Sequence, residues 1–271
     1  MQRGRVTEFT GQACSAQALI DQVGVRQSIV AWSETLSWQW PDGGSAAWNA
    51  RYWNQGDLVP GAEVHAAIND AFMDQKSYSI GCYTASKLVM IQGILDYYRR
   101  VKKDEKTTAL IEARLMLDGS PLVHIEPDAM WDFEDAADAE SLARAGKLLS
   151  LLRSVGQKNF IPGDWSYLLN TDAVTAEKTG YEGSNAIYLG RGKFDDFYED
   201  HHNYYTYKEK LNEVFQWRNQ VFSSHRDVAK VHPLTGADYE RLSKPPVENG
   251  IQLDLRVSPY MFGYQDLPLV K

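Results

Sequence analysis

Apolar positions recur at helical spacing through the middle of the chain. Leu88, Ile91, Leu95 and Tyr98 stand at i, i+3, i+7 and i+10 and predict a core helix over 86–98. The stretch Tyr78-Ser79-Ile80-Gly81-Cys82-Tyr83-Thr84-Ala85 runs directly into it, so a cysteine is mounted on its first turn. After it, Arg99-Arg100-Val101-Lys102-Lys103-Asp104 returns the chain to solvent. Val64, Ile68 and Phe72 predict a helix over 63–73, and another is expected over 107–117. Leu142, Ala145, Leu148, Leu149 and Leu152 mark an amphipathic helix over 136–155, and Leu211, Val214, Phe215 and Arg218 one over 207–219.

The strand signals come later. Pro162-Gly163-Asp164 is a turn feeding a strand over 165–170. Gly183-Ser184-Asn185-Ala186-Ile187-Tyr188-Leu189-Gly190 is a second strand bounded by glycines, and Arg191-Gly192-Lys193 suits a hairpin to a third strand over 194–198. A short strand over 122–125 follows the turn Asp118-Gly119-Ser120-Pro121, and a late one is expected over 251–257. The first sixty residues carry Trp32, Trp38, Trp40, Trp48 and Trp53 among loop signals such as Pro41-Asp42-Gly43-Gly44-Ser45, which predicts short elements pinned by large aromatics. This pattern divides the chain into a Trp-rich N-terminal cap or subdomain (1–60), a central core (61–225) that carries the cysteine-headed helix and the strands, and a loop-rich C-terminal extension (226–271).

Composition narrows the classes. At 271 residues, 44% hydrophobic and 24% charged, the chain can bury a sizeable core. A net charge of −8 and the lack of a basic run long enough to track phosphates argue against nucleic acid and anionic membrane as partners. Met1-Gln2-Arg3-Gly4-Arg5 is followed by no apolar segment of signal-peptide type, so a cytoplasmic protein, or one exported without a Sec signal, is expected. Cys14 and Cys82 are the two cysteines, and neither belongs to a Cys/His pattern with zinc spacing. Free thiols are expected rather than a Cys14–Cys82 bridge, with no metal and no organic cofactor.

A thiol at a helix N-terminus meets unpaired N–H groups and the positive end of the helix dipole, the setting that favours a nucleophilic thiolate. Cys82 is therefore the candidate nucleophile. A cysteine heading a helix, followed by a small antiparallel sheet, resembles the layout of papain-like and NlpC/P60-like enzymes. The pattern is more similar still to the bacterial spore-coat type of protein-glutamine γ-glutamyltransferase, through Cys82-Tyr83-Thr84-Ala85, Gly163-Asp164 with Tyr167 and Asn170, the run from Gly183 to Gly190, Gly192-Lys193-Phe194, Lys210-Leu211-Asn212 and Arg218. The resemblance implies an α+β fold with an NlpC/P60-like core, the nucleophile heading a helix packed on a small antiparallel sheet. It also implies cysteine-dependent acyl transfer from a protein glutamine, through a thioester, to a lysine or other amine acceptor. The same fold also serves cysteine amidases, peptidases and glutamine deamidases, as in exported toxins, and a non-catalytic descendant is a third reading.

The base is the open question. At the start of the second strand NlpC/P60 enzymes carry a histidine and spore-coat transglutaminases a glutamate, whereas this chain has Ser184, which cannot act as a base near neutral pH. The acidic residue that the spore-coat family places before the cysteine is here Gly81. Glu182, two residues before Ser184 and so expected on the same strand face, is one substitute. His201 and His202, beside Glu199 and Asp200, are others, with His124 and His65 as further candidates. Asp164 is read as a cap of its Pro-Gly-Asp turn and Trp165 as a supporting or substrate-binding residue. Asn185 is a supporting residue whose expected direction, opposite to Ser184, turns it from the base position.

Overall fold

The computed structural model describes residues 16–116, 122, 148–153, 159–195, 197–198, 204–219, 221, 228–251 and 253–259. Its central element is a helix, α3 (Cys82–Asp96), which continues through a π-helical turn at Tyr97–Val101. From Ala85 to Leu95 every residue but Lys87 is buried, so the helix is covered all round. One side packs on α1 (Ala16–Ser33), another on α2 (Val64–Met73), and its front meets the sheet. The close crossing with α1 depends on small residues. A Cβ on Gly93 would stand 2.7 Å from the Cα of Ile29 and 2.8 Å from its backbone nitrogen.

The helix expected over 63–73 is α2, and that over 107–117 is α4 (Glu105–Leu115). α1 was not legible as a helix. Its buried stripe, Ala18, Asp21, Val25, Ile29 and Ser33, mixes small and polar residues with few large apolar ones, while Leu19, Ile20 and Val23 face outward. Asp21 is tolerated inside because Tyr97 Oη, Lys102 Nζ and Gln17 Nε2 donate to its carboxylate at 2.7, 2.7 and 2.9 Å. The aromatics that follow behave as packing groups. Trp38 Nε1 donates to Ala71 O at 2.7 Å and Trp53 Nε1 to Ala67 O at 3.3 Å, both on α2, and Trp32 and Trp38 set their rings edge-on to Phe72. A two-residue hairpin, β1 (Trp53–Asn54) and β2 (Asp57–Leu58), lies among them. Val25, Trp38 and Trp53 thus share one core with α2 and α3.

The main sheet has six strands among the described residues, in the order β3-β8-β4-β5-β6-β7, with every pairing antiparallel. These are β3 (Leu149–Arg153), β4 (Trp165–Leu169), β5 (Gly183–Gly190), β6 (Lys193–Asp195), β7 (Tyr204–Thr206) and β8 (Leu253–Pro259). Both faces are covered. Trp165, Tyr167, Ile187 and Val257 point to the α3 side, whereas Leu168, Ala186, Tyr188 and Phe194 point to a second core closed by α5 (Tyr207–Arg218) and α6 (Gly236–Leu242). Helix α5 starts at a capping box in which Thr206 and Glu209 satisfy each other's backbone N–H groups.

Two expectations are corrected. The stretch read as a helix over 136–155 ends in strand β3, paired from Leu149↔Pro259 to Arg153↔Leu255. The apolar run Leu148 to Leu152 within it is short enough to fit a buried strand as well as a helix, and pairing with β8 decides between them. The third strand expected over 194–198 stops at Asp195, and Tyr198 instead bridges to Trp38. The short strand expected over 122–125 lies outside the described residues apart from Leu122.

Candidate active site

Cys82 is the first residue of α3. Gly81 caps the helix with an extended backbone and contributes no side-chain bond, so the N–H groups of the first turn are left to whatever binds in front of them. A Cβ on Gly81 would meet nothing within 4 Å, which leaves the approach to the thiol open. Cys82 carries a free, partly exposed thiol. Behind it, Ser86 Oγ donates to the Cys82 carbonyl at 2.9 Å and ties the first turn to the second.

Strand β5 supplies the neighbouring wall. β4 and β5 pair Tyr167↔Asn185 and Leu168↔Ser184, so Asn185 stands on the face of Tyr167, toward α3, and Ser184 on the face of Leu168, toward the second core. The expected facing is reversed: Asn185, not Ser184, looks at the nucleophile. Asn185 Nδ2 lies 3.6 Å from Cys82 Sγ, and Asn185 Oδ1 accepts from Trp165 Nε1 at 2.8 Å. Trp165 in turn meets the ring of Tyr83 edge-on, with centroids 5.5 Å apart.

Tyr167 forms the far side. Its hydroxyl donates to the Glu182 carbonyl at 2.8 Å, and burial, then the nearby charges of Cys82 and Glu182, hold the phenol well above its ordinary range. The phenol is thus neutral and lies within electrostatic reach of both groups. Glu182 precedes the first strand residue, Gly183, so strict strand alternation with Ser184 does not set its direction. Its carbonyl also accepts from Asn170 N at 3.0 Å, which anchors the residue while its side chain stays partly exposed. On the next turn of α3, burial pushes the Lys87 ammonium down to about 8; Nζ donates to Leu122 O at 3.2 Å and sits 4.5 Å from the centre of the Tyr83 ring.

The remaining candidates separate cleanly. Asp164 is fully buried and caps its turn, as read from the sequence: Ile161 N donates to Oδ2 at 2.7 Å. It also accepts from Arg26 Nη1 at 2.7 Å and from Ser258 Oγ at 3.0 Å, joining α1 to β8. His65 stands between Glu112 at 2.8 Å and Glu63 at 3.3 Å, engaged with α4. His124, His201 and His202, like Cys14, lie outside the described residues. Among the described residues no group of three His, Cys, Asp or Glu side chains gathers as a metal site. Tyr167 is the residue that sequence reasoning passed over as a site member; its place beside Asn185 follows only from the β4–β5 register.

A thiol heading a buried helix and facing a short antiparallel sheet defines a papain-type acyl-transfer fold. The model of the protein-glutamine gamma-glutamyltransferase family matches residues 12–242, and the chain belongs to that family. Among solved structures, a transglutaminase from Geobacillus stearothermophilus (without C-terminal extension) shares the fold, with a TM-score of 0.57 and 18% identity over 95% of this chain and 100% of that one. No curated protein sequence matches the chain. Its activity is acyl transfer on protein glutamine side chains, with glutamine-bearing proteins and amine donors as substrates. Neither the hydrolytic nor the non-catalytic reading is favoured by these matches.

Proposed function

We propose that Cys82 is the nucleophile of this transfer and that Glu182 serves as its acid–base partner. The thiol sulfur attacks the carboxamide carbon of a substrate glutamine, the carbon–nitrogen bond breaks, and ammonia leaves to give a thioester. A lysine or other primary amine then attacks the same carbon and expels the sulfur, leaving an isopeptide bond. Proton transfer from thiol to departing nitrogen, and later from amine to sulfur, needs a nearby titratable group. Glu182 is the described carboxylate whose charge acts on the same Tyr167 hydroxyl as Cys82. The acidic balance of the chain, with 36 Asp and Glu against 28 Lys and Arg, supports a protein partner rather than nucleic acid or an anionic membrane.

The observation that carries this reading is the free thiol at the head of α3, where no side chain caps the helix, with the Asn185 amide 3.6 Å from its sulfur. Incorporation of a fluorescent primary amine into a glutamine-bearing protein tests it. Cys82→Ala abolishes incorporation while the melting temperature stays within about 2 °C of the parent, as expected for a partly exposed substitution. Retained activity in a folded Cys82→Ala protein overturns the assignment. Glu182→Gln lowers kcat by about 10² to 10⁴-fold, the usual worth of a positioned acid–base group. An unchanged kcat moves the role away from Glu182 and toward His201 and His202, whose Ala variants then show the loss.

A further inference from the structure

Asn185 is a primary amide buried to 4% exposure, placed where its donors and its acceptor each meet a defined partner. A buried amide left unpaired costs about 1–3 kcal/mol, so its orientation is set by those partners. The indole N–H of Trp165 can only donate. The atom it meets at 2.8 Å must therefore be the amide oxygen, and the amide nitrogen is turned to Cys82 Sγ at 3.6 Å. Trp165 is itself held, fully buried, in register with Ile187 and edge-on against Tyr83, the residue after the thiol. Neither Trp165 nor Asn185 carries an ionisable group.

Given Cys82 as the nucleophile, we propose that Asn185 is a catalytic residue of the glutamyl transfer and Trp165 its positioning residue. The Asn185 N–H donates to the sulfur when it bears charge, before attack on the carboxamide and again as the amine expels it. In the first step the S–C bond forms and the C–N bond breaks, and ammonia carries off the thiol proton. In the second the new N–C bond forms, the S–C bond breaks with its electron pair going to sulfur, and the proton the amine loses passes to that sulfur and restores the thiol. Asn185 gains and loses no proton in either step; it holds the charged sulfur and keeps its direction toward the substrate carbon. The β5 face toward the thiol thus offers a neutral donor.

Three variants test this beside Cys82→Ala: Asn185→Ala, the near-isosteric Asn185→Asp, and Trp165→Phe. The readouts are kcat and KM for a glutamine-bearing protein, the rate of Cys82 alkylation by iodoacetamide at pH 7, and the melting temperature. Asn185→Ala is expected to lower kcat about 10- to 100-fold with KM within about twofold, and to slow alkylation about tenfold, the range of a hydrogen bond to a charged atom. Asn185→Asp keeps the acceptor for Trp165 but sets a carboxylate beside the sulfur, so its losses match or exceed those of Ala. Trp165→Phe keeps an aromatic ring and loses the indole N–H, giving smaller losses of the same kind. Wild-type kcat and alkylation in a folded Asn185→Asp or Asn185→Ala protein overturn the proposal, as does a loss confined to KM. The two readings fail separately: activity in Cys82→Ala removes the nucleophile, whereas an inactive Cys82→Ala with a fully active Asn185→Ala removes only the role of Asn185.

Discussion

Gly81 leaves room beside the nucleophile that another residue can use. Its φ of −70° is ordinary for any L-residue, and a Cβ there meets nothing within 4 Å. Gly81→Glu is therefore expected to fold with a melting temperature within about 2 °C of the parent. In a Glu182→Gln background it restores amine incorporation severalfold, because the helix N-terminus favours a carboxylate at that position and the new group reaches the same proton. Absence of any recovery in the folded double variant shows that the acid–base role needs the position of Glu182. Lys87 gives a second prediction at this scale. Burial holds its ammonium at about 8, below the ordinary 10.5, so the unfolded chain binds the extra proton between those values and stability gains with rising pH. The unfolding free energy of the parent minus that of Lys87→Met is expected to be flat below pH 8, to rise from 8 to 10.5, and to level off above, as read by urea titration at each pH. A difference independent of pH contradicts the burial effect.

At the scale of elements, the sequence showed α2 and α3 because each carries a dense apolar stripe, and α4, whose buried face is Thr108, Ile111 and Leu115, because it is rich in good helix formers. It hid α1, whose inward face mixes Ala18, Asp21 and Ser33 with Val25 and Ile29 while Leu19, Ile20 and Val23 face out. The close contact of α1 with α3 depends on Gly93. Gly93→Ala places a Cβ against the backbone of Ile29 and is expected to lower stability by about 1–3 kcal/mol, measured by denaturant unfolding, despite the higher helix propensity of alanine. A stabilised variant indicates that α1 can slide aside. The facing of β5 was hidden for another reason. Seven of its eight residues, Gly183 to Tyr188 and Gly190, are buried, so no polar-apolar alternation says which side looks at the thiol.

Across the whole molecule, buried ionic groups tie the helices to the sheet and to one another. Asp164 joins the turn before β4 to Arg26 on α1 and Ser258 on β8. Asp21 joins α1 to the π turn after α3: burial opposes its ionisation, but hydrogen bonds from Lys102, Tyr97 and Gln17 outweigh that and hold its carboxyl below the ordinary value. A lowered carboxyl contributes stability that is present above the unfolded value near 4 and is lost as pH falls through the folded one. Asp21→Asn is expected to cost about 3 kcal/mol at pH 7, with the gap to the parent closing below about pH 4 in thermal unfolding. A gap that persists at pH 2 assigns the loss to packing.

From its sequence alone this chain determines a cysteine at the head of a core helix, the strands that follow and the family they resemble, because each is encoded in neighbouring residues: Gly81-Cys82 before an apolar run, Pro162-Gly163-Asp164 before a strand, Arg191-Gly192 at a hairpin. Tertiary structure alone decides that Asn185 rather than Ser184 faces the sulfur, that Trp165 sets the direction of that amide, and that α1 closes against α3. The reason is physical. These features depend on which buried face meets which, and a strand covered on both sides or a helix buried through small and polar residues leaves no periodic trace of its partners.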